Sequence, residues 1–392
     1  MPVTSAPVPP RVLHVTQPVD GGVARVVADL VRRQLAAGMS VSVACPASGS
    51  LPRLLSSSGC EVLTWEASRS PGKGLLREGR HLSGVVARAR PDLIHAHSAK
   101  AGLITRLVVR GRVPTVFQPH AWSFEAVRGL PARLALHWER LGARWAARLV
   151  CVSRAEQRTG RGLGIDAEWR LVPNGVDLER FCPAGRAGPD GVPADGAPGG
   201  DGPDGDGPLV VCVGRLCRQK GQDLLVEAWP EVLRHLPRAR LVLVGDGPQA
   251  QELRAAAPGS VRFAGAVDDP VPWYRAADLV VMPSRWEGIA LAPLEAMACG
   301  SPVLLTDVAG ARESLPAPLA DACLVPPEDP GALARALVRL LREPAELRAH
   351  GRAAHRHVHA HHDVRRTAAA VAEVYGELLG QETTAHREPI TT

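Results

Sequence analysis

Short apolar runs alternate with amphipathic stretches along this chain, stop at one place, and start again. RVLHVT (11–16) reads as a strand, 22–37 as a helix and VSVAC (41–45) as a second strand. LIHAH (93–97), TVFQP (115–119) and RLVCVS (148–153) continue the theme, with helical periodicity near 77–89, 99–110 and 131–147. Continuous apolar strands separated by amphipathic helices predict a parallel sheet covered on both faces. Residues 183–208 (PAGRAGPDGVPADGAPGGDGPDGDGP) are almost wholly Gly, Pro, Asp and Ala, so a flexible linker or expanded loop is expected there. Beyond it LVVCVG (209–214), RLVLVG (240–245), VRFAG (261–265), LVVMPS (279–284), PVLLT (302–306) and CLVP (323–326) repeat the strand pattern, with a helix over 219–235. The expected fold is α/β, with two doubly wound domains. Ligands of such sheets bind beyond the carboxyl ends of the strands, so two facing domains place a ligand in the cleft between them.

The composition excludes several function classes. With 392 residues and 45% hydrophobic residues the chain is too long for one ordinary core and too apolar for disorder. No apolar run approaches the roughly eighteen residues that cross a bilayer. The N-terminus MPVTSAPVPPRV lacks a basic start and an apolar stretch, so no signal peptide is expected and the chain is read as cytosolic. The net charge of +6 is carried mostly by Arg, since Lys73, Lys100 and Lys220 are the only lysines. No zinc-finger spacing, basic aromatic ribbon or helix-turn-helix signature accompanies it, so no nucleic-acid partner is expected. The 8 cysteines are scattered without a CxxC pair and read as buried free thiols.

The strongest chemical signal is WEGIALAPLEAMACGSPVL (286–304). Glu287 lies in a loop, Glu295 in the helix that follows, and Pro293 suits that helix's first turn. Free N–H groups at the helix start would welcome a phosphate, with the two carboxylates placed to accept hydrogen bonds from sugar hydroxyls. Taken alone, two glutamates here could be charges favoured by the helix dipole. VGRLCRQKG (213–221) adds a second element. Arg215 and Lys220 can hold a diphosphate, and Gly214 and Gly221 let the backbone come close. Lys220 stands out in a chain that otherwise uses Arg, because a compact ammonium on a flexible stem acts differently from a guanidinium.

Together with LVPNGVDLERF (171–181) and VLVGDGP (242–248), these segments resemble the retaining nucleotide-sugar glycosyltransferases of the GT-B fold, the large family that includes bacterial mannosyl- and exopolysaccharide transferases. The resemblance runs from about residue 11 to 379. It implies two Rossmann-like domains facing across a cleft: an acceptor-side domain over 1–182 and a nucleotide-sugar domain over 209–360. The Gly/Pro/Asp linker 183–208 lies between them. A helix over 361–380 packs back on the first domain, and the tail 381–392 is disordered. It implies that Glu287 contacts the transferred sugar, Glu295 the ribose hydroxyls, and Arg215 and Lys220 the diphosphate. The backbone around Gly288, Ile289, Ala290 and Leu291 would face the phosphates, and Ala266 and Val267 would bracket the base. Gly21 and Gly22 resemble the family's glycine loop, and His120 in FQPHAWSF matches a histidine near the donor sugar. Many members carry Phe-Gly where this chain has Ile289-Ala290; the backbone donors survive, so a shift in sugar preference is expected.

The implied reaction moves a hexose from a nucleotide diphosphate sugar to a hydroxyl acceptor, either a lipid-linked saccharide or a small metabolite. Arg215, Lys220 and a helix N-terminus would stabilise the leaving diphosphate. No Asp-x-Asp motif is present, so neither a metal nor a cofactor is expected, and the front-face mechanism implied by the family would retain the anomeric configuration. Acid–base hydrolysis by two carboxylates is the other reading of the glutamates, and the diphosphate motif opposes it. An epimerase or phosphorylase of the same fold, or a sugar-nucleotide-binding regulator without catalysis, are the alternatives. His97, Ser98 and Lys100 in HAHSAKAG are expected at a strand-to-helix turn facing the cleft, with Ser98 equally readable as an N-cap. Residues 131–149 align Leu134, Trp138, Leu141, Trp145 and Leu149 on one face. That stripe suits either a peripheral membrane contact or packing on its own sheet. HRHVHAHHD (355–363) has no convincing ligand spacing and reads as a solvated helix end.

Overall fold

The computed structural model describes residues 9–68, 72, 74–183 and 207–380. Most of the expected linker 183–208, and the expected disordered tail 381–392, lie outside the described residues. The first lobe runs β1 (Arg11–Thr16), α1 (Gly22–Ala36), β2 (Ser40–Cys45), α2 (Ser50–Leu55), β3 (Glu61–Thr64), α3 (Leu75–Ala89) and β4 (Leu93–His97). It continues α4 (Ser98–Val109), β5 (Thr115–Gln118), α5 (Leu130–Ala143), β6 (Arg148–Cys151), α6 (Arg154–Gly162) and β7 (Trp169–Leu171). All of its strands are parallel, in the order β3-β2-β1-β4-β5-β6-β7. β4 is buried along its whole length, as a strand covered on both faces must be.

The second lobe repeats the plan. It runs β8 (Leu209–Val213), α7 (Gln222–His235), β9 (Arg240–Val244), α8 (Ala250–Ala256), β10 (Val261–Gly265), α9 (Val271–Ala276), β11 (Leu279–Met282) and α10 (Leu291–Ala298). β12 (Val303–Thr306), α11 (Ala317–Cys323), β13 (Leu324–Val325), α12 (Pro330–Leu341) and α13 (Pro344–His361) complete it, and α14 (Val364–Leu379) follows. The parallel strand order is β10-β9-β8-β11-β12-β13. Each sheet therefore reverses direction beside its first strand, and β1 and β8 stand at the two switch points where such sheets bind ligands.

Two expectations change. The stripe over 131–149 is not one helix: α5 ends at Ala143 and Leu149 is a fully buried residue of β6. The helix expected from 219 starts at Gln222, because Gly221 takes a left-handed turn (φ 66°) after a short 3-10 turn over Arg218–Lys220. A Cβ at Gly221 would stand 2.0 Å from the Pro283 carbonyl oxygen, so glycine is required there.

The chain crosses between lobes twice. The NGVD segment leads out of the first lobe, and α13 returns from the second. They meet where Val176 N–H donates to His362 O (2.8 Å) and Val364 N–H donates to Val176 O (3.0 Å). α14 then lies along α1, although it is the last element in sequence. Glu313 makes a further cross-lobe bond. Its carboxylate accepts from the N–H groups of Arg154 and Ala155 (both 2.7 Å) at the N-terminus of α6, where a negative charge is favoured.

Candidate active site

The strand tips of the second lobe bring Lys220 and Glu287 together: Lys220 Nζ lies 2.5 Å from Glu287 Oε1. Ser284, just past β11, donates from Oγ to the same oxygen at 2.9 Å. Glu287 lines a small cavity of about 20 Å³ with Ser284, Gly288, Ala290, Pro293 and Thr306. Arg215 is exposed, and its carbonyl accepts from Gln222 Nε2 (3.1 Å). Its loop cannot move freely, because a Cβ at Gly245 would sit 2.1 Å from Gly214 O and one at Gly247 2.3 Å from Leu216 O. The GDGP turn thus seats the loop that carries both cations.

Ala290 precedes α10 with extended backbone, and Leu291 opens the helix. Ile289 is buried and its carbonyl accepts from Asn174 Nδ2 at 2.7 Å, which ties the NGVD segment to the helix start. Gly288 carries the lobe-to-lobe contact, since a Cβ there would stand 2.7 Å from Val152 Cγ2 and 3.1 Å from His120 O. Opposite, Gly21 takes φ 79° before α1, and Gly22 faces the Leu291 side chain of α10. Ala266 and Val267 follow β10 at its carboxyl end, with Ala266 exposed and Val267 half-buried. The structure therefore assembles Glu287, Lys220, Gly288–Leu291, Gly21, Gly22 and the His120 backbone around one cleft.

Glu295 is buried inside α10 and reaches two partners. Tyr274 of α9 donates its hydroxyl to Oε2 (2.8 Å), and Arg25 of α1 approaches Oε1 from the other lobe (3.4 Å). Burial and then the neighbouring carboxylate hold the Tyr274 phenol well above its ordinary range, so it stays a donor. Sequence reasoning misses Arg25 and Tyr274, which lie in ordinary-looking helical stretches; only the placement of α1 against α10 makes them neighbours.

His120 is held with φ 61° and is followed by Ala121 at φ 151°, a region alanine rarely adopts. Such strain, costing about 1–3 kcal/mol, persists where the surroundings over-determine it, commonly at functional sites. The His120 ring joins a buried row. His120 Nε2 lies 3.1 Å from His97 Nδ1, His97 Nε2 lies 2.9 Å from His14 Nδ1, and His14 Nε2 lies 2.8 Å from Gln34 Oε1. His95 Nδ1 meets the Tyr375 hydroxyl of α14 at 2.6 Å, leaving His95 Nε2 buried without a partner. Burial lowers His14 to about 4 and His120 to about 3, and puts His95 and His97 well below the usual histidine range, so all four rings are neutral near pH 7. Among the described residues, His14, His95 and His97 are the one group of ring nitrogens, all within 4.8 Å, that could hold a metal. A histidine in the middle of each apolar strand, RVLHVT and LIHAH, is the signal that could have found this row.

Further expectations change on the first lobe and at the end of α13. His97 is fully buried rather than open to the cleft, and Ser98 is the first helical residue instead of the cap. Lys100 is buried in an ion pair with Glu78 Oε2 (2.7 Å), which takes it away from any acceptor. Of the stripe, Trp138 lies under the Arg106 guanidinium while Leu134 is exposed, together with Val127 and Leu130 just before the stripe. The His-rich segment is also partly structural, since His362 is buried and its Nδ1 bonds Asn174 O (2.9 Å). Of the 8 cysteines, all free, Cys60 and Cys217 are half-buried and the others buried.

Comparison with known proteins agrees with this geometry. Residues 20–180 match the family described as Glycosyltransferase Family 4, and residues 207–343 the family described as Glycosyl transferases group 1. The chain is 32% identical to a D-inositol 3-phosphate glycosyltransferase of Streptomyces bingchenggensis, across 92% of this chain and 85% of that one. It is 36% identical to a lipopolysaccharide core biosynthesis mannosyltransferase of Rhizobium leguminosarum, across 59% of this chain and 66% of that protein's length. Among solved structures, Anabaena HepE in complex with UDP and glucose superimposes with a TM-score of 0.77 at 21% identity, covering 94% of this chain and 99% of that one. Sucrose-phosphate synthase of Thermosynechococcus elongatus has a TM-score of 0.78 at 24% identity, covering 95% and 99%.

Proposed function

The chain belongs to the nucleotide-sugar glycosyltransferases of the GT-B fold, and from that premise we propose that it transfers a hexose from a nucleotide diphosphate sugar to a hydroxyl acceptor, without a metal and with retention. The observation that carries this reading is the convergence of Lys220, Glu287 and the start of α10 opposite the Gly21-Gly22 turn. Lys220, Arg215 and the free N–H groups of α10 supply positive potential where a departing diphosphate gains charge. Fixed cations and helix dipoles cost no reorganisation as that charge develops. Glu287 binds the sugar, Glu295 with its remaining lone pairs binds the ribose, and Ala266 and Val267 border the base. The leaving phosphate takes the acceptor's proton on the same face, which preserves the anomeric configuration.

The acceptor is a lipid-linked saccharide or a polyol-type metabolite. The relatives support this class: one is a UDP-Gal:α-D-GlcNAc-diphosphoundecaprenol galactosyltransferase, others act on D-inositol 3-phosphate or on a phosphatidylinositol monomannoside. No helix among the described residues is long and apolar enough to cross a membrane. Contact with a lipid surface would run through Val127, Leu130 and Leu134, beside the exposed Arg128 and Arg133.

A donor panel tests the reading. The purified protein is assayed for release of nucleotide diphosphate with and without EDTA, and the product's anomeric configuration is read by NMR. Release from one donor class, undiminished by EDTA and with retention, is expected. Loss of activity in EDTA overturns the metal-free mechanism, inversion overturns the front-face step, and no release from any donor overturns the enzymatic reading.

A further inference from the structure

The row Gln34–His14–His97–His120 is a sequence of side-chain hydrogen bonds that begins in the last turn of α1 and ends at the cleft. The rings lie almost in line, with 12° between the planes of His14 and His97 and 25° between those of His97 and His120. Each neutral imidazole has one N–H and one lone pair, so fixing one member fixes the next. Gln34 sets the sense. Its Nε2 faces the Tyr375 hydroxyl (3.5 Å) and its Oε1 faces His14 Nε2, which must therefore carry the proton. His14 Nδ1 is then an acceptor and takes the Nε2–H of His97. His97 Nδ1 in turn takes the Nε2–H of His120. The only ring nitrogen left is His120 Nδ1, a lone pair with no protein partner among the described residues. An amide oxygen accepts a hydrogen bond but does not store a proton at neutral pH, so the row is a lock and not a conduit. A cation placed between His14 and His97 would have to break their bond, which opposes a metal as the purpose of the cluster.

Resting on the glycosyl-transfer reading, we propose that Gln34, His14 and His97 are positioning residues that hold His120 as its Nε2–H tautomer, so that Nδ1 accepts a hydrogen bond from a hydroxyl of the bound sugar or acceptor. His120 is then a specificity and catalytic residue whose polarity is set from inside α1. The strained backbone at His120 and Ala121 holds the ring in register with His97.

The test uses the full chain labelled with 15N-histidine, with the His120 signals assigned through His120→Gln. Long-range proton–nitrogen spectra are expected to show His14, His97 and His120 all protonated at Nε2; an Nδ1-protonated or mixed His120 overturns the proposal. Gln34→Met fills the same space without an acceptor. It is expected to mix the His120 tautomers and lower kcat about tenfold, the worth of one substrate hydrogen bond. Donor KM should stay within about twofold, since the donor's main contacts are untouched. Gln34→Glu restores the acceptor and is expected to recover the Nε2–H tautomer and most of kcat. An unchanged kcat in Gln34→Met, or a Gln34→Glu as slow as Gln34→Met with its tautomer restored, overturns the proposal. Absence of transfer by the wild type with every donor would remove the enzymatic reading and leave the spectrum to decide the tautomer.

Discussion

Lys220 Nζ stands 2.5 Å from Glu287 Oε1, and both belong to loops at the carboxyl end of the second sheet. On the proposed reading a diphosphate would compete with Glu287 for the same ammonium, and the pair would exchange partners when donor binds. Lys220→Ala should cut kcat by about 100-fold or more, the usual loss when a transition-state charge partner goes. Lys220→Arg should also be slow, because a planar fork replaces a point charge beside Ser284. Circular dichroism should show both variants folded. Normal turnover in either would remove Lys220 from the chemistry.

Arg25 and Glu295 join the lobes across the cleft. Removing Arg25 leaves a buried carboxylate with Tyr274 as its only partner, so Arg25→Ala should destabilise the chain by about 1–2 kcal/mol. Glu295→Gln keeps an acceptor for Tyr274, and in the double variant the two effects should fall short of additivity. A denaturation cycle measures this directly. Strict additivity would mean the two side chains do not interact in solution.

The histidine row makes the fold sensitive to acid. His14 and His120 have folded values near 4 and 3, below the ordinary 6.5, with burial as the main cause. The unfolded chain therefore binds more protons between those values and 6.5, and stability rises with pH across that window. The midpoint temperature should fall steadily as pH drops from 6.5 toward 4. Glu156 acts oppositely. Burial raises it to about 8 from an ordinary 4.5, so its contribution is complete below 4.5 and is lost as pH rises through 8. Glu156→Gln keeps an acceptor for the Val152 N–H and should remove the decline that runs from pH 4.5 to 8, which also steepens the histidine limb where the two windows overlap below 6.5. An acid limb unchanged after His14→Gln would show that other groups drive it.

Gly288 allows the lobes to meet, with Val152 and the His120 carbonyl where a side chain would be. Gly288→Val should lower kcat/KM by about tenfold or more through overpacking worth about 1–3 kcal/mol, while the first and second sheets stay intact. Wild-type kinetics from this variant would mean the cleft works in a more open form.

Leu130 and Leu134 are the exposed apolar residues of α5. Liposome flotation with anionic vesicles should retain the wild type and release Leu130→Glu/Leu134→Glu. Equal flotation of both, or of neither, would remove this helix from any membrane role.

The fold was legible because its signal is local. Both sheets are built from apolar runs that need no partner to be recognised, and β1, β4 and β10 fall where the runs do. Short edge elements such as β3 and β7 carry too few residues for a periodic signal. The position of the Arg215–Lys220 loop and of the Glu287–Glu295 element at the strand tips was legible because each lies on a contiguous segment next to a recognisable strand. Arg25, Tyr274, Gln34 and Tyr375 were not, because their roles exist only after α1 has been packed between α10 and α14. The α5 stripe misled because one apolar periodicity ran on through the turn into β6, whose Leu149 is apolar for a different reason.

The last helix belongs in space to the first lobe. Tyr375, which anchors both His95 and Gln34, follows them in the chain by 280 and 341 positions and so leaves the ribosome long after them. The first lobe must therefore wait, the side of α1 that α14 covers still bare, until the whole second lobe has been made. A chaperone acting during synthesis would meet that bare side of α1 first.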